Sequence, residues 1–532
     1  MSDTSSKPRW SLPYESPLPV DPRRAGRVRA LRVAACALLA AALIAPVVQF
    51  QHGTVKRERR RQGLLQKVES GKIAAEDVPI VGTKGAIARW SKAVRQFWAG
   101  RNIYQAGQAD ADRSGLTYQQ RQQRDVWLHP NMPFTVIMLS PFAYMPIQWQ
   151  ALSVNVLKLL VLAATGLMVA SLAGHGQRRI CDWVLGLGVL WALFFLIGDI
   201  QHGNTNVFVL GLVTCHLWLY RRGRDAWAGL PLACAICLKM TPALFVLYWL
   251  YQRNWKLLGG TLAWLVTLAV VVPAAAIGPQ RYWMLTQTWL DNLIIPGLLK
   301  GAWYPIHINQ SLSGVLSRYF LDGKWGDILW NPDDAPWSAG DEHSWIHLII
   351  LPQLAVKMIL RAGQVVIVAL GAWAIGLRKL PRHDGRRALH YGLVALGMML
   401  LNQRTWDHHA TVVLIATVAI WQAIAFGRMA FRPRAWSLAL TMLAGLCVFL
   451  TRSDLLKTVG KAIYGHKDQA ELFADRVEAV GPTFWAFVFL FAAGVVLSLA
   501  LKKSDTPYAH ARQKLFVKGW YKDPEDAQTT AV

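Results

Sequence analysis

Apolar blocks of roughly 17 to 25 residues recur along this chain, each long enough to cross about 30 Å of hydrocarbon as a helix. They fall at about 29–50, 151–174, 180–200, 204–221, 257–278, 354–377, 387–403, 409–426, 435–452 and 480–501, with a further block at 226–251. The chain therefore reads as an all-α polytopic membrane protein. Composition agrees: 54% of the 532 residues are apolar and 17% are charged, against about 45–50% and about 25% in soluble domains.

The net charge of +26 would suggest nucleic acid as the partner of a soluble protein. Here much of it lies in short loops and termini, where cations face anionic headgroups and fix topology. Membrane lipids are the expected partners of this charge, and no nucleic acid is expected. The six cysteines lie in or beside apolar blocks, outside any polar loop that could carry a disulfide framework. Cys234 and Cys237 have the C-x-x-C spacing, but inside a hydrophobic run they read as packing residues. The first block, 29–50, is longer than a signal-peptide core and reads as a retained anchor.

Basic segments at 175–179, 221–224, 378–387 and 428–434, and the pair Lys502 and Lys503, flank the blocks. The positive-inside rule assigns them to the cytoplasm. The run from Lys56 to Arg61 disagrees, but longer translocated loops obey the rule weakly. Both ends of block 226–251 then want the cytoplasm, because Arg221 to Arg224 precede it and Arg253 and Lys256 follow it. Pro242 disfavours a continuous helix there. A lysine at membrane depth costs roughly 2.5–3.5 kcal/mol and normally faces a polar cavity. The block is expected to re-enter with Lys239 near its apex; a kinked crossing whose lysine snorkels is the alternative. About ten full crossings remain.

This topology predicts a cytoplasmic tail at 1–28, a membrane domain at 29–502 and a second cytoplasmic tail at 503–532. Residues 51–150 and 279–353 become extracytoplasmic loops. Within the first, the amphipathic stretch from Ala86 to Trp98 could lie in the interface. The stretch 133–147, with Pro133, Pro141 and Pro146, is too short and broken to span.

Polar clusters gather on that outer side. Asp125, His129 and Asn131 form the first; Asp199, Gln201, His202, Asn204 and Asn206 the second. His307, Asn309, Gln310, Ser311 and Arg318 form the third; Asn402, Gln403, Arg404, Asp407, His408 and His409 the fourth. Singly, such residues at helix ends often only cap or bond neighbouring helices. Their convergence on one face, above a buried lysine, favours a site. Adjacent His408 and His409 beside Asp407 also invite a metal. Neighbours on a helix diverge, however, and no H-x-x-x-H spacing is present, so no metal is assigned.

Several motifs follow one another in a fixed order. Gly100 to Tyr104 forms G-x-x-x-Y, and 129–146 is a proline-punctuated stretch. Gly203, Asn204 and Asn206 precede Ala228, Gly229, Leu238, Lys239 and Pro242; Asn309, Gln310, Ser311, Leu312 and Arg318 precede Trp406, His408 and His409. In this order, over about residues 29 to 450, the chain resembles the polytopic GT-C glycosyltransferases, specifically glycosyltransferase family 87. That family includes polyprenyl-phosphate-mannose-dependent α-mannosyltransferases. The resemblance implies a GT-C-like bundle of about ten spans plus re-entrant helices, with a long first extracytoplasmic loop. It implies transfer of a sugar, mannose first, from a polyprenyl-phosphate donor to an extracytoplasmic lipid or glycan acceptor, in a bacterial inner membrane. No cofactor is implied. Two positions depart from the family pattern. The acidic residue about eighteen positions before the tyrosine is Ala86 here, and the glutamine of G-Q-x-N is Asn204. Asp77, Asp110, Asp112 or Asp125 could substitute for the acid.

Such a transfer passes through an oxocarbenium-like state. The lipid phosphate is already a good leaving group, so the site mainly needs cations for the developing charge. Lys239, Arg318 and Arg404 are the expected cations. His408 or His409 is the expected general base, with Asp407 nearby in sequence as a further catalytic candidate. His129, Asn131, Asn204, Asn206, Asn309 and Gln310 complete the expected contacts to donor sugar and phosphate. The alternatives are a lipid-carrier transporter or flippase, whose broken helices also build midplane sites, and a non-catalytic family member.

Overall fold

The computed structural model describes residues 22–73, 85–104, 129–175, 180–299, 303, 305–322, 346–451, 453–504 and 507–508. Among the described residues the regular structure is helical, with an isolated strand-like bridge between Gly427 and Tyr508. In chain order the helices are α1 (Pro22–Glu69), α2 (Gly85–Trp98), α3 (Pro133–Ala143), α4 (Ile147–Ala173), α5 (Asp182–His202) and α6 (Asn206–Arg221). Next come α7 (Asp225–Leu238), α8 (Leu244–Tyr251), α9 (Trp255–Val266), α10 (Val272–Ile277), α11 (Pro279–Trp289) and α12 (Leu312–Phe320). The chain ends with α13 (Gln353–Ile375), α14 (Arg386–Leu400), α15 (Val413–Phe426), α16 (Phe431–Leu450), α17 (Ser453–Tyr464), α18 (Lys467–Ala479) and α19 (Pro482–Leu501).

Eight of the described helical stretches are long and apolar enough to cross a membrane: Ala30–Glu69, Ile147–Ala173, Asp182–His202, Trp255–Ile277, Gln353–Ile375, Asp407–Phe426, Phe431–Leu450 and Lys467–Leu501. The blocks expected at 204–221 and 387–403 are helices of 16 and 15 residues, shorter than a typical span. Helix α1 differs most from expectation, running 48 residues where 29–50 was expected. Hydropathy marks where lipid ends, whereas Glu, Arg, Lys and Gln after residue 55 are good helix formers that let the helix continue. Arg61 pairs with Glu58 one turn earlier at 3.3 Å.

Block 226–251 divides into α7 and α8 at Lys239, whose φ of −161° and ψ of 125° are extended. Both feet of this V reach one connecting segment. Asp225, at the start of α7, accepts from Arg382 Nη2 at 2.8 Å. Just past α8, the Arg253 carbonyl accepts from Lys379 Nζ at 3.3 Å. The chain therefore turns back on itself, with Lys239 at the far end.

Two apolar cores follow. In the larger, α14 and α15 are buried along nearly their whole length, with α4 to α7, α13, α16 and α19 packed around them. The outward faces of α9, α13 and α16 carry exposed Leu262, Val266, Leu354, Met358, Val365 and Leu446, the pattern of helices solvated by lipid. The smaller core joins Phe50 of α1 to Ile87, Trp90, Val94 and Phe97 of α2, Val136 and Leu139 of α3, and Leu285 and Trp289 of α11. The apolar face of α2, expected to lie in the membrane interface, is instead covered by protein.

Candidate active site

The site begins where α5 stops. Gly203 takes φ +62°, and a Cβ there would come within 2.7 Å of Ile87 Cγ1. Gly85, with φ +67°, sits so close to the His202 carbonyl that a Cβ would lie 2.3 Å from its oxygen. Two glycines thus let the start of α2 rest on the end of α5. This contact brings Ala86, itself buried, beside the α5–α6 turn.

An unanticipated ion pair anchors that turn. Lys158 of α4 and Asp199 of α5 are fully buried, with Nζ 2.8 Å from Oδ2. Lys158 Nζ also donates to the Asp199 carbonyl at 2.9 Å. The other carboxylate oxygen, Oδ1, accepts from the Asn206 backbone N–H at 3.1 Å and from Asn206 Nδ2 at 3.0 Å. This fixes the amide with Oδ1 outward, where it accepts from Lys239 Nζ at 2.7 Å. Thr411 Oγ1 holds the Asn206 carbonyl at 2.9 Å. Lys239 is thus positioned by a neutral amide, and the carboxylate behind that amide is already paired with Lys158. The arrangement leaves the Lys239 amine to offer at the bundle end.

The fourth sequence cluster closes over the same place. The His202 and His408 rings meet edge to face at 4.3 Å between centroids, and His408 meets His409 at 4.7 Å. Trp406 stacks on His409 at 5.7 Å, and the Arg404 guanidinium lies over the Trp406 ring, 4.2 Å from its centroid. Arg89 of α2 acts electrostatically on His408, and Lys239 and Arg404 act on His409. The two histidines differ. His409 Nδ1 accepts the Trp406 backbone N–H at 3.3 Å, whereas His408 Nε2 is buried with no hydrogen-bond partner. Asp407 turns the other way and accepts from Thr483 Oγ1 of α19 at 2.7 Å. It faces Glu478, not His408.

The third cluster is placed as a brace. Asn309 donates to the Gln403 carbonyl at 3.0 Å and accepts the Thr405 and Ser311 N–H groups at 3.0 and 3.2 Å. Gln310 Nε2 donates to the His307 and Glu478 carbonyls at 2.8 and 3.0 Å. Arg318, expected as a phosphate cation, has no exposed surface. Its Nε donates to the Ala479 carbonyl at 2.8 Å, and its Nη1 to those of Ile306 and Asn309 at 2.9 Å each. Burial lowers its pKa to about 10, so it stays charged at neutral pH. A guanidinium directed at carbonyls from two segments ties them together, while its Nη2 is buried without a hydrogen-bond partner.

In the first cluster, the Asn131 carbonyl accepts from Tyr104 Oη at 2.7 Å. His129 lies against the Tyr104 ring at 6.2 Å. Burial lowers the His129 pKa to about 4, leaving it neutral. Thr135 Oγ1 donates to the Cys237 carbonyl at 2.6 Å, fastening this loop to α7 just before Lys239. Asn204 Oδ1 accepts the adjacent Thr205 N–H at 2.8 Å. Asp77, Asp110, Asp112 and Asp125 lie outside the described residues. Sequence reasoning missed Lys158, Arg89 and Glu478. For Lys158 a signal exists: a lone lysine in one apolar block, with Asp199 inside the far end of the next, implies a buried partner pair.

The family model of glycosyltransferase family 87 matches residues 127–403, which hold Lys239, Asn206 and the Asn309 to Arg318 brace. Two curated relatives are each described as a polyprenol-phosphate-mannose-dependent alpha-(1-2)-phosphatidylinositol mannoside mannosyltransferase. The one from Mycobacterium tuberculosis is 24% identical over 388 residues, covering 69% of this chain and 78% of the relative. The one from Mycolicibacterium smegmatis is 25% identical over 404 residues, covering 70% and 78%. No solved structure matches the chain.

Proposed function

The chain belongs to glycosyltransferase family 87 and is an integral-membrane glycosyltransferase, and from that premise we propose that it moves a mannosyl group from polyprenyl phosphate to a lipid or glycan acceptor. We assign the polar end of the bundle to the extracytoplasmic side, a reading supported by Arg382 and Lys379 at the feet of the V, away from Lys239, since short basic segments stay cytoplasmic. The V of α7 and α8 is then a re-entrant unit entering from the cytoplasm, among about ten full spans. The tails 1–28 and 503–532 are cytoplasmic in this arrangement.

The observation that carries the reading is the 2.7 Å contact of Lys239 with Asn206, below His408 and His202. The donor phosphate sits on Lys239, with Arg404 and Arg89 adding positive potential. As the bond from C1 to the phosphate oxygen lengthens, the sugar gains oxocarbenium character and the phosphate gains negative charge that Lys239 offsets. The acceptor oxygen bonds to C1 and its proton passes to His408 Nε2, the nitrogen with no partner in the fold. Polyprenyl phosphate leaves as the other product. His409 holds the Trp406 loop, and Asp407 braces α19 through Thr483. Asn204 and Asn131 line the rim, and His129 packs as a neutral ring behind it. Asn309, Gln310 and Arg318 hold the covering loops.

The test is purified protein in lipid nanodiscs with radiolabelled polyprenyl-phosphate-mannose and membrane lipid extract. Label appearing in a lipid or glycan product supports the reading. Donor bound without any transfer would make the chain a non-catalytic member, in keeping with Ala86 standing where the family's acid is expected. Label crossing the bilayer unchanged would make it a lipid-carrier transporter.

A further inference from the structure

We propose a divalent-cation site, outside the sugar-transfer centre, formed by His307, Asp475 and Glu478. His307 Nε2 lies 3.7 Å from Asp475 Oδ1 and 4.0 Å from Glu478 Oε2. One ligand atom from each residue lies within 4.8 Å of the other two. These separations exceed hydrogen-bond length. They lie just outside the about 3.3–3.6 Å between tetrahedral ligands each about 2.0–2.2 Å from one ion, a gap that small side-chain rotations close.

The scaffold around these atoms has the features a metal site needs. Asp475 and Glu478 are three residues apart on α18 and so share one helix face. His307 comes from the facing loop. Gln310 Nε2 binds the backbone carbonyls of both His307 and Glu478, so one buried side chain sets the distance between two of the three ligands. Arg318 bonds the carbonyls of Ile306 and Ala479, the neighbours of those same ligands. Supporting groups of this kind orient metal ligands. The ligand side chains keep 16–39% of their surface exposed, enough for an ion to enter with waters.

A separate observation calls for positive charge at this point. Both carboxylates lie in the last turns of α18, which ends at Ala479, where the helix dipole presents its negative end and favours a cation. A third carboxylate, Asp407, faces Glu478 from across the interface. The cationic groups facing Glu478 are His307, Arg318 and Lys457. Arg318 directs three of its N–H groups to carbonyls, and Lys457 lies on α17. One imidazole and two carboxylates, completed by water, suit Mn²⁺ or Zn²⁺ rather than Mg²⁺ or Ca²⁺. An ion here would clamp the 305–311 loop to α18, one carboxylate away from Asp407.

The test reads metal binding and needs no turnover, so it is independent of the proposed sugar transfer. Full-length protein in nanodiscs is titrated with Mn²⁺, and loss of the free-ion EPR signal is followed, with Zn²⁺ added as competitor. The expected result is one Mn²⁺ per chain, displaced by Zn²⁺, with affinity at least about tenfold weaker in Asp475→Asn, Glu478→Gln and His307→Ala. Gln310→Ala should weaken it about 10–100-fold as a supporting group. Asp468→Asn, an exposed carboxylate at the other end of α18, should bind as wild type. Melting curves identify any variant that fails to assemble. No Mn²⁺ uptake by wild type, or equal uptake by folded Asp475→Asn and Glu478→Gln, would overturn the site.

Discussion

Lys158 and Asp199 form an ion pair at 2.8 Å with neither side chain exposed. Through Asn206, that pair decides where Lys239 points. Removing one partner leaves the other charged and buried, a loss of about 3–5 kcal/mol. Lys158→Met should therefore lower the melting temperature sharply. Adding Asp199→Asn should recover much of the loss, because the amide oxygen that replaces the carboxylate is uncharged and can still accept from Asn206. Thermal unfolding in detergent checks this, and a Lys158→Met protein as stable as wild type would refute it.

Lys239 meets a neutral amide and lies at the extended break between α7 and α8. Its removal should cost function without costing the fold. Lys239→Met is expected to melt as wild type and to lose about 10²–10³-fold in turnover, the scale for removing one charge-stabilising donor. Activity within a factor of a few of wild type would remove Lys239 from the phosphate site.

The two arginines should separate cleanly. Arg318 bonds carbonyls on both sides of a loop interface, and hydrogen bonds to charged groups contribute about 1.5–3 kcal/mol each. Arg318→Met should reduce yield and melting temperature. Arg404 lies over the Trp406 ring, so Arg404→Met should keep its melting temperature and raise the donor KM. The reverse pattern would restore Arg318 as a ligand.

His408 and His409 offer a comparable contrast. His408 Nε2 is unpartnered, and His409 Nδ1 is engaged by backbone. His408→Asn should lose about 10²–10⁴-fold in turnover, the range for general-base catalysis, with donor binding retained. His409→Asn should mainly loosen the Trp406 loop and affect donor KM. Equal losses in kcat for both would argue that neither acts alone.

Much of this fold can be read in the sequence because hydrophobic length and arginine placement are physical constraints that single blocks display. The break at Lys239 is legible too, since Pro242 and the basic residues at both feet favour a chain that turns back over a kinked crossing. The far end of α1 is not, because helix propensity continues past the point where hydropathy stops. Lys158 is hidden in a 27-residue helix of high mean hydropathy, where one lysine barely moves the average and its partner lies in another block. The difference between Arg318, which bonds loop carbonyls, and Arg404, which lies over Trp406, is set by tertiary contacts. Sequence neighbours do not reveal that. Asp475 and Glu478 carry no motif, and they acquire meaning only when α18 is set against the 305–311 loop.

His129 is nearly fully buried, and burial alone lowers its pKa from the ordinary 6.5 to about 4. The unfolded chain therefore takes up a proton at His129 before the folded chain does. Stability is unaffected above about pH 6.5 and falls as the pH drops from there towards about 4, with a slope approaching about 1.4 kcal/mol per pH unit for one proton. His129→Gln keeps a polar side chain but cannot titrate. Its melting temperature should fall less than that of wild type between pH 7 and pH 4.5, and the two should run parallel above pH 7. Parallel curves across the whole range would mean that His129 is already solvated, and that the Tyr104 loop is looser than its packing implies.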